Sequence, residues 1–263
     1  MTILALTTEA AVEAAGTAAE GAVEHGEKII DPIHQFVITR YIDLGALSFT
    51  NSALWAVIAV VCITLLFMLA PSNLVPTRLQ SIAESIYELV DNMAHDMLHE
   101  NARRVFPFVL TLFLFVLFAN VLGLIPYSFT VTSHIIVTLG LALTVFIGAT
   151  VIGFMRNGFG YLKLFVPPGV PGALLPLVVL IEVVSYFIRP LSLSIRLFAN
   201  MMAGHMMLKV MAGFVVMLGA FGFVPLLAMV ALTGLELLVA ALQAYVFAIL
   251  TCMYLNDAMH PAH

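Results

Sequence analysis

ALWAVIAVVCITLLFMLA, residues 53–70, runs for eighteen residues without a charge. A stretch this long and apolar crosses a bilayer as a helix, since about 20 residues rising 1.5 Å each span a hydrocarbon core of about 30 Å. Trp55 lies near its start, where an indole anchors at the membrane interface, and Pro71 follows its end. The rest of the chain has the same character. Of 263 residues, 62% are hydrophobic and 10% charged, and the mean hydropathy is +1.10. A soluble domain needs about 25% charged residues to cover its core. The exterior of this chain therefore faces lipid, where only helices and closed barrels satisfy their backbone. Its apolar runs are continuous and not alternating, which selects helices. The predicted fold class is an all-α polytopic membrane protein with about five transmembrane helices and one amphipathic surface helix.

Four regions follow from this pattern. Residues 1–50 form an acidic N-terminal arm, with Glu9, Glu13, Glu20, Glu24 and Glu27. Within it, the Ala-rich stretch Thr7 to Lys28 lacks the basic start of a signal peptide and reads as frayed or weakly helical. Residues 51–104 hold the first span and then a stretch, 77–100, with Leu79, Ile82, Ile86, Leu89, Val90, Met93 and Met97 at helical spacing. Glu84, Glu88, Asp91, Asp96 and Glu100 occupy its other face, so it lies along the surface and does not span. Residues 105–172 give a transmembrane hairpin, spans 105–126 and 135–155, and a loop from Arg156 to Gly172. Residues 173–263 contain two apolar stretches of about 35 to 45 residues, divided near Gly219–Gly222. Each is too long to stand upright in a bilayer. Either they tilt strongly or they break at Pro190 and Pro225. A sixth span by such a break remains open.

Arg78, Arg103, Arg104, Arg156 and Lys163 fall after spans one and three, whereas 127–134 and 219–222 carry no Lys or Arg. The positive-inside rule places the N-terminal arm outside and the basic loops and C-terminus in the cytoplasm. Ten scattered basic residues disfavour nucleic acid. Cys62 and Cys252 read as inert buried thiols. His95 and His99 are spaced like a metal pair but lack a third ligand of clear spacing, and His260 and His263 read as tail residues. No metal or cofactor is predicted. The absence of an internal repeat or of matched half-helices argues against the runner-up, a proton-coupled secondary transporter.

An ionisable group near the bilayer centre costs about 2.5 to 3.5 kcal/mol even on lenient scales, and so marks a functional position. Glu182, Arg189 and Arg196 fall within about 40° of one another on a helix advancing 100° per residue. Ser185, Ser192 and Asn200 extend the same stripe to about 25 Å. Arg189 and Lys209 read as snorkelling toward an interface. His205 falls on about the opposite face from Arg196. On the last helix, Glu236 and Gln243 are a heptad apart, and Tyr254 returns to the Glu236 line. Carboxylates and imidazoles exchange protons near working pH once burial shifts them. A guanidinium stays charged and serves as a fixed barrier. Facing stripes of this kind support a water-filled proton path; the structural alternative is a set of interhelical hydrogen bonds that only fix packing.

The run Arg189-Pro-Leu-Ser-Leu-Ser-Ile-Arg196-Leu-Phe-Ala-Asn200-Met-Met-Ala-Gly-His205, with Glu182 fourteen residues before the arginine and Leu242-Gln243-Ala244-Tyr245-Val246-Phe247, resembles subunit a of F-type ATP synthases. The span layout is similar from about Ile33 onward. The resemblance implies that the last two helices are a strongly tilted hairpin curving around the c-ring. It implies a proton-translocating, non-catalytic subunit without cofactor, partnered by the c-ring and by b subunits of the peripheral stalk. Arg196 would be the stator arginine with Asn200 and Gln243 as polar neighbours. His205 and Glu236 would line one proton half-channel, in the mitochondrial arrangement of acid and imidazole, and Glu182 the opposite one. The resemblance and the acidic extension favour the bacterial inner (plasma) membrane over the mitochondrial inner membrane.

Overall fold

The computed structural model describes residues 40–42, 49–70, 77–125, 128–166 and 174–259. The acidic run Glu9 to Glu27 and the tail histidines lie outside them. At the end of the arm, β1 (Arg40–Ile42) and β2 (Phe49–Thr50) pair antiparallel, with Arg40 opposite Thr50 and Ile42 opposite Phe49. Tyr41, Ile42, Phe49 and Thr50 are aromatic or β-branched and favour extended backbone; the stretch Thr7 to Lys28, expected to be frayed or weakly helical, lies outside the described residues.

Among the described residues, five helices are long and apolar enough to cross a membrane. The first, α1 (Asn51–Leu69), starts where the Thr50 hydroxyl accepts from the Ala53 amide at 3.4 Å. The amphipathic helix follows as α2 (Arg78–Leu98), capped by Thr77 on the Gln80 amide. It buries Ala83, Val90, Met93 and Ala94 against its neighbours, whereas Leu79, Ile82 and Leu89 remain about half exposed. Its apolar side is thus wider than its buried side, and the surplus faces outward.

The second and third spans are α3 (Ala102–Gly123) and α4 (Ile135–Asn157). The predicted loop after α4 contains a 3₁₀ helix, Gly158–Phe165. Gly158, at φ 52°, ends α4, and the chain folds back so that the buried Tyr161 ring lies on Gly153. A Cβ at Gly153 would fall on that ring. Gly153→Ala should therefore lower stability by about 1 to 3 kcal/mol through overpacking, readable as a lower melting temperature of the detergent-purified protein. An unchanged melting temperature would show that the contact is dispensable.

The hairpin consists of α5 (Leu175–Met217) and α6 (Phe223–Met259), joined by a 3₁₀ turn, Gly219–Gly222. Neither proline breaks it: Pro190 is buried inside α5 and Pro225 falls in the first turn of α6. With 43 and 37 residues, the helices measure about 64 and 55 Å at 1.5 Å per residue. Unbroken helices of that length fit a core of about 30 Å only when strongly inclined.

Packing is concentrated on one half of the hairpin. From Ala240 to Met259, α6 buries Ala240, Ala244, Phe247, Ala248, Cys252, Leu255 and Ala258 against α3, α4 and α5. The alanines let backbones approach closely, as membrane helix interfaces require. The first half of α6 and the outer side of α5 remain an exposed apolar wall that includes Leu191, Ile195, Leu235 and Leu238. Cys62 is half-buried and Cys252 fully buried, both as free thiols.

A candidate proton path along the terminal hairpin

Two polar clusters occupy opposite halves of the hairpin. The first lies toward the turn. It gathers around the segment 128–134 between α3 and α4, where Ser128, Thr130, Thr132 and Ser133 are all buried. Four hydroxyls cannot lie in an apolar interior without partners. They find them: Ser128 donates to the Gly123 carbonyl at 2.9 Å, Ser133 to the Thr130 carbonyl at 2.6 Å, and Thr132 to Asn120 Oδ1 at 2.8 Å. The Asn120 amide in turn reaches the Ala240 carbonyl of α6 at 3.5 Å. Thr130 Oγ1 stands 3.0 Å from His205 Nε2 on α5.

Glu236 completes this cluster from α6. A Cβ on Gly204 would overlap its carboxylate, so the glycine is what lets the acid lie against α5, one residue from His205. Both Glu236 carboxylate oxygens are buried and lack a hydrogen-bond partner among the described residues. At the edge of the cluster His134 stacks on Phe129, with centroids 5.0 Å apart, and its Nε2 is also buried without a partner among the described residues. Burial pushes the His134 imidazole below its ordinary value, which keeps it neutral at pH 7.

The second cluster lies toward the other end. Arg189 is not a snorkelling side chain as the sequence suggested. It bridges Glu182 at 3.4 Å and Asp257 at 3.3 Å, joining α5 to the end of α6. Beside it a small cavity is lined by Tyr161, Tyr186, Arg189, Tyr254 and Asp257. There the hydroxyls of Thr150, Tyr186 and Tyr161 form a chain with links of 2.6 and 2.9 Å. Tyr254 therefore belongs with this group, whereas Glu236, on the same helix line, belongs with the first.

Arg196 lies between the clusters and outside both. It is exposed on the apolar wall, as are Ser192 and Asn200, while Ser185 is half-buried. Among the described residues Arg196 makes no ion pair or hydrogen bond within the chain. Gln243 is buried on α6, 3% exposed. The predicted stripe is thus divided: Glu182 and Arg189 are tied inward, Arg196 and Asn200 face out.

Sequence reasoning missed two members. Asp257 was not singled out, because the apolar stretch ends near Asn256, but α6 continues to Met259. Its offset of three residues from Tyr254 was a usable signal. Thr130 carried no charge to attract notice, although four hydroxyls in the six residues SFTVTS were the clue. The His99 ring lies 3.2 Å from the His95 carbonyl, and the described residues contain no cluster of three metal-ligating side chains.

The family model described as ATP synthase A chain matches residues 52–256. ATP synthase subunit a of Chelativorans sp. is 59% identical over 246 residues, which cover 89% of this chain and 99% of that protein. ATP synthase subunit a of Parvibaculum lavamentivorans is 55% identical over 247 residues, covering 89% and 95%. That of Pelagibacter ubique is 55% identical over 241 residues, covering 89% and 99%.

Proposed function

The chain belongs to the ATP synthase A chain family, and from that premise we propose that it is the subunit a that carries protons to and from the rotating c-ring of an F-type ATP synthase. The observation that supports this most is the position of Arg196. Along α5, Arg196 is seven residues from Arg189 and nine from His205, or about 10 and 13 Å at 1.5 Å per residue. One exposed, permanent charge thus stands between two polar clusters in opposite halves of the hairpin. On this reading each cluster belongs to one of two proton paths, and Arg196 stands between them. A proton leaving one can reach the other only on a carrier outside this chain.

Protons enter through the cluster of His205 and Glu236, on the outer side by the distribution of basic loops. They pass to a carboxylate on the ring, travel round with it, and leave through Glu182 and Asp257 on the cytoplasmic side. Arg196 favours the ionised form of the carboxylate that faces it and repels protons from a direct crossing. Asn200 and Gln243 are its polar neighbours, and Ser185, Ser192 and Tyr254 border the path. The subunit does no nucleotide chemistry and needs no metal or cofactor. Its partners are the c-ring and the b subunits of the peripheral stalk, in the inner membrane of a bacterium.

Glu236→Gln tests the entry path. It preserves shape but cannot exchange a proton, so ATP-driven acidification of inverted membrane vesicles should fall at least about tenfold with the complex intact. Acidification at the unaltered rate would remove Glu236 from the path.

A further inference from the structure

We propose that Thr130 is a positioning residue that holds a proton on Nε2 of His205, so that the ring gains and loses its exchangeable proton at Nδ1 alone. This rests on the reading of His205 as a member of the proton path.

The Thr130 hydroxyl lies 3.0 Å from His205 Nε2 and 3.5 Å from the Gly123 carbonyl. Thr130 is 1% exposed and His205 6%, so water does not compete for either contact. Gly123 makes the arrangement possible: a Cβ there would come within 2.8 Å of the Thr130 methyl carbon. Gly123 is also the last residue of α3, and its carbonyl, which has no partner within the helix, accepts from Ser128 at 2.9 Å as well.

A hydroxyl has one hydrogen to give, and a carbonyl can only accept. With Thr130 donating to Gly123 at 3.5 Å, its lone pair faces Nε2 at 3.0 Å, and Nε2 then carries a hydrogen. The reverse arrangement would set the hydroxyl lone pairs against the carbonyl oxygen. When His205 takes up a second proton, at Nδ1, the bond from Nε2 persists and becomes charge-assisted. The same fixed acceptor thus serves both charge states.

Thr130 is consequently a dead end for protons, because the Gly123 carbonyl cannot receive its hydrogen. Traffic is confined to the Nδ1 side of the ring. The ionisable groups around the ring are Glu236 from α6, set against Gly204, Lys209 one turn further along α5, and His134 from the segment that holds Thr130.

The test compares Thr130→Val, isosteric but without the hydroxyl, with Thr130→Ser in the complete complex in inverted vesicles. Valine should slow ATP-driven acidification about five- to tenfold and displace its pH profile, and serine should restore both. Valine with unaltered rate and profile would overturn the proposal. A direct reading is available without any variant: the nitrogen-15 spectrum of histidine-labelled complex should show the neutral His205 ring with hydrogen on Nε2 and bare Nδ1. The opposite tautomer overturns the proposal even where the valine variant fails to assemble. An Arg196→Ala arm separates the two readings. If pumping survives that change, the stator mechanism fails, and the tautomer is still decided by the spectrum.

Discussion

Arg196→Ala should give a complex that assembles normally and does not pump. The side chain is exposed and makes no ion pair or hydrogen bond within the described chain, so its loss leaves no orphaned partner. Alanine is the best helix former. Removing a cation from an apolar wall also relieves a cost of about 2.5 to 3.5 kcal/mol on insertion scales. The fold therefore has no reason to suffer, and the deficit should be wholly functional. ATP-driven acidification of inverted vesicles should vanish, because the charge that keeps the two paths apart is gone. Arg196→Lys keeps the charge but replaces a planar, five-donor fork with a compact ammonium that can lose its proton when desolvated. It should pump far below the unaltered rate. Normal acidification by an intact alanine complex would sink the stator mechanism; loss of assembly would instead make Arg196 a structural residue.

The second large effect is expected at Arg189 and is of the opposite kind. This arginine is tied to two carboxylates, 3.4 Å from Glu182 and 3.3 Å from Asp257, on different helices. Arg189→Met would leave both acids facing each other without a cation. Breaking a fully buried pair costs about 3 to 5 kcal/mol. These groups are about a third exposed, so a loss of about 2 kcal/mol is the better expectation. It should appear as a lower melting temperature of the purified complex and a weakened junction between α5 and the end of α6. Neutralising the acids as well, with Glu182→Gln and Asp257→Asn beside Arg189→Met, should recover most of the stability. A single variant as stable as the unaltered protein would mean that the bridge contributes nothing to the fold.

The contrast between the two arginines also shows what the sequence could and could not disclose. Composition and run length gave the spans, and the α1, α3 and α4 boundaries lie within a few residues of the hydropathic edges. Hydropathy could not choose between tilting and breaking at Pro190, because a proline's effect in lipid depends on the neighbours that re-satisfy the backbone. Helical phasing put Glu182, Arg189 and Arg196 on one stripe, correctly as angles. It could not say that Arg189 turns inward to Asp257 while Arg196 stays out, since that depends on where α6 ends and what packs beside it. The same limit hid Thr130, whose role comes from a glycine seven residues earlier and a histidine seventy-five residues later.

The uneven burial of α6 has a mechanical meaning. From Ala240 to Met259 the helix is clamped by its neighbours, while from Phe223 to Val239 it overhangs. The hairpin is thus a cantilever with its root at the Arg189 end and its tip at Gly219–Gly222. Arg196 is on the companion arm close to the root, where a lateral push bends a beam least. A ring turning against this face would find its reference charge on the stiff part of the beam, with compliance reserved for the tip.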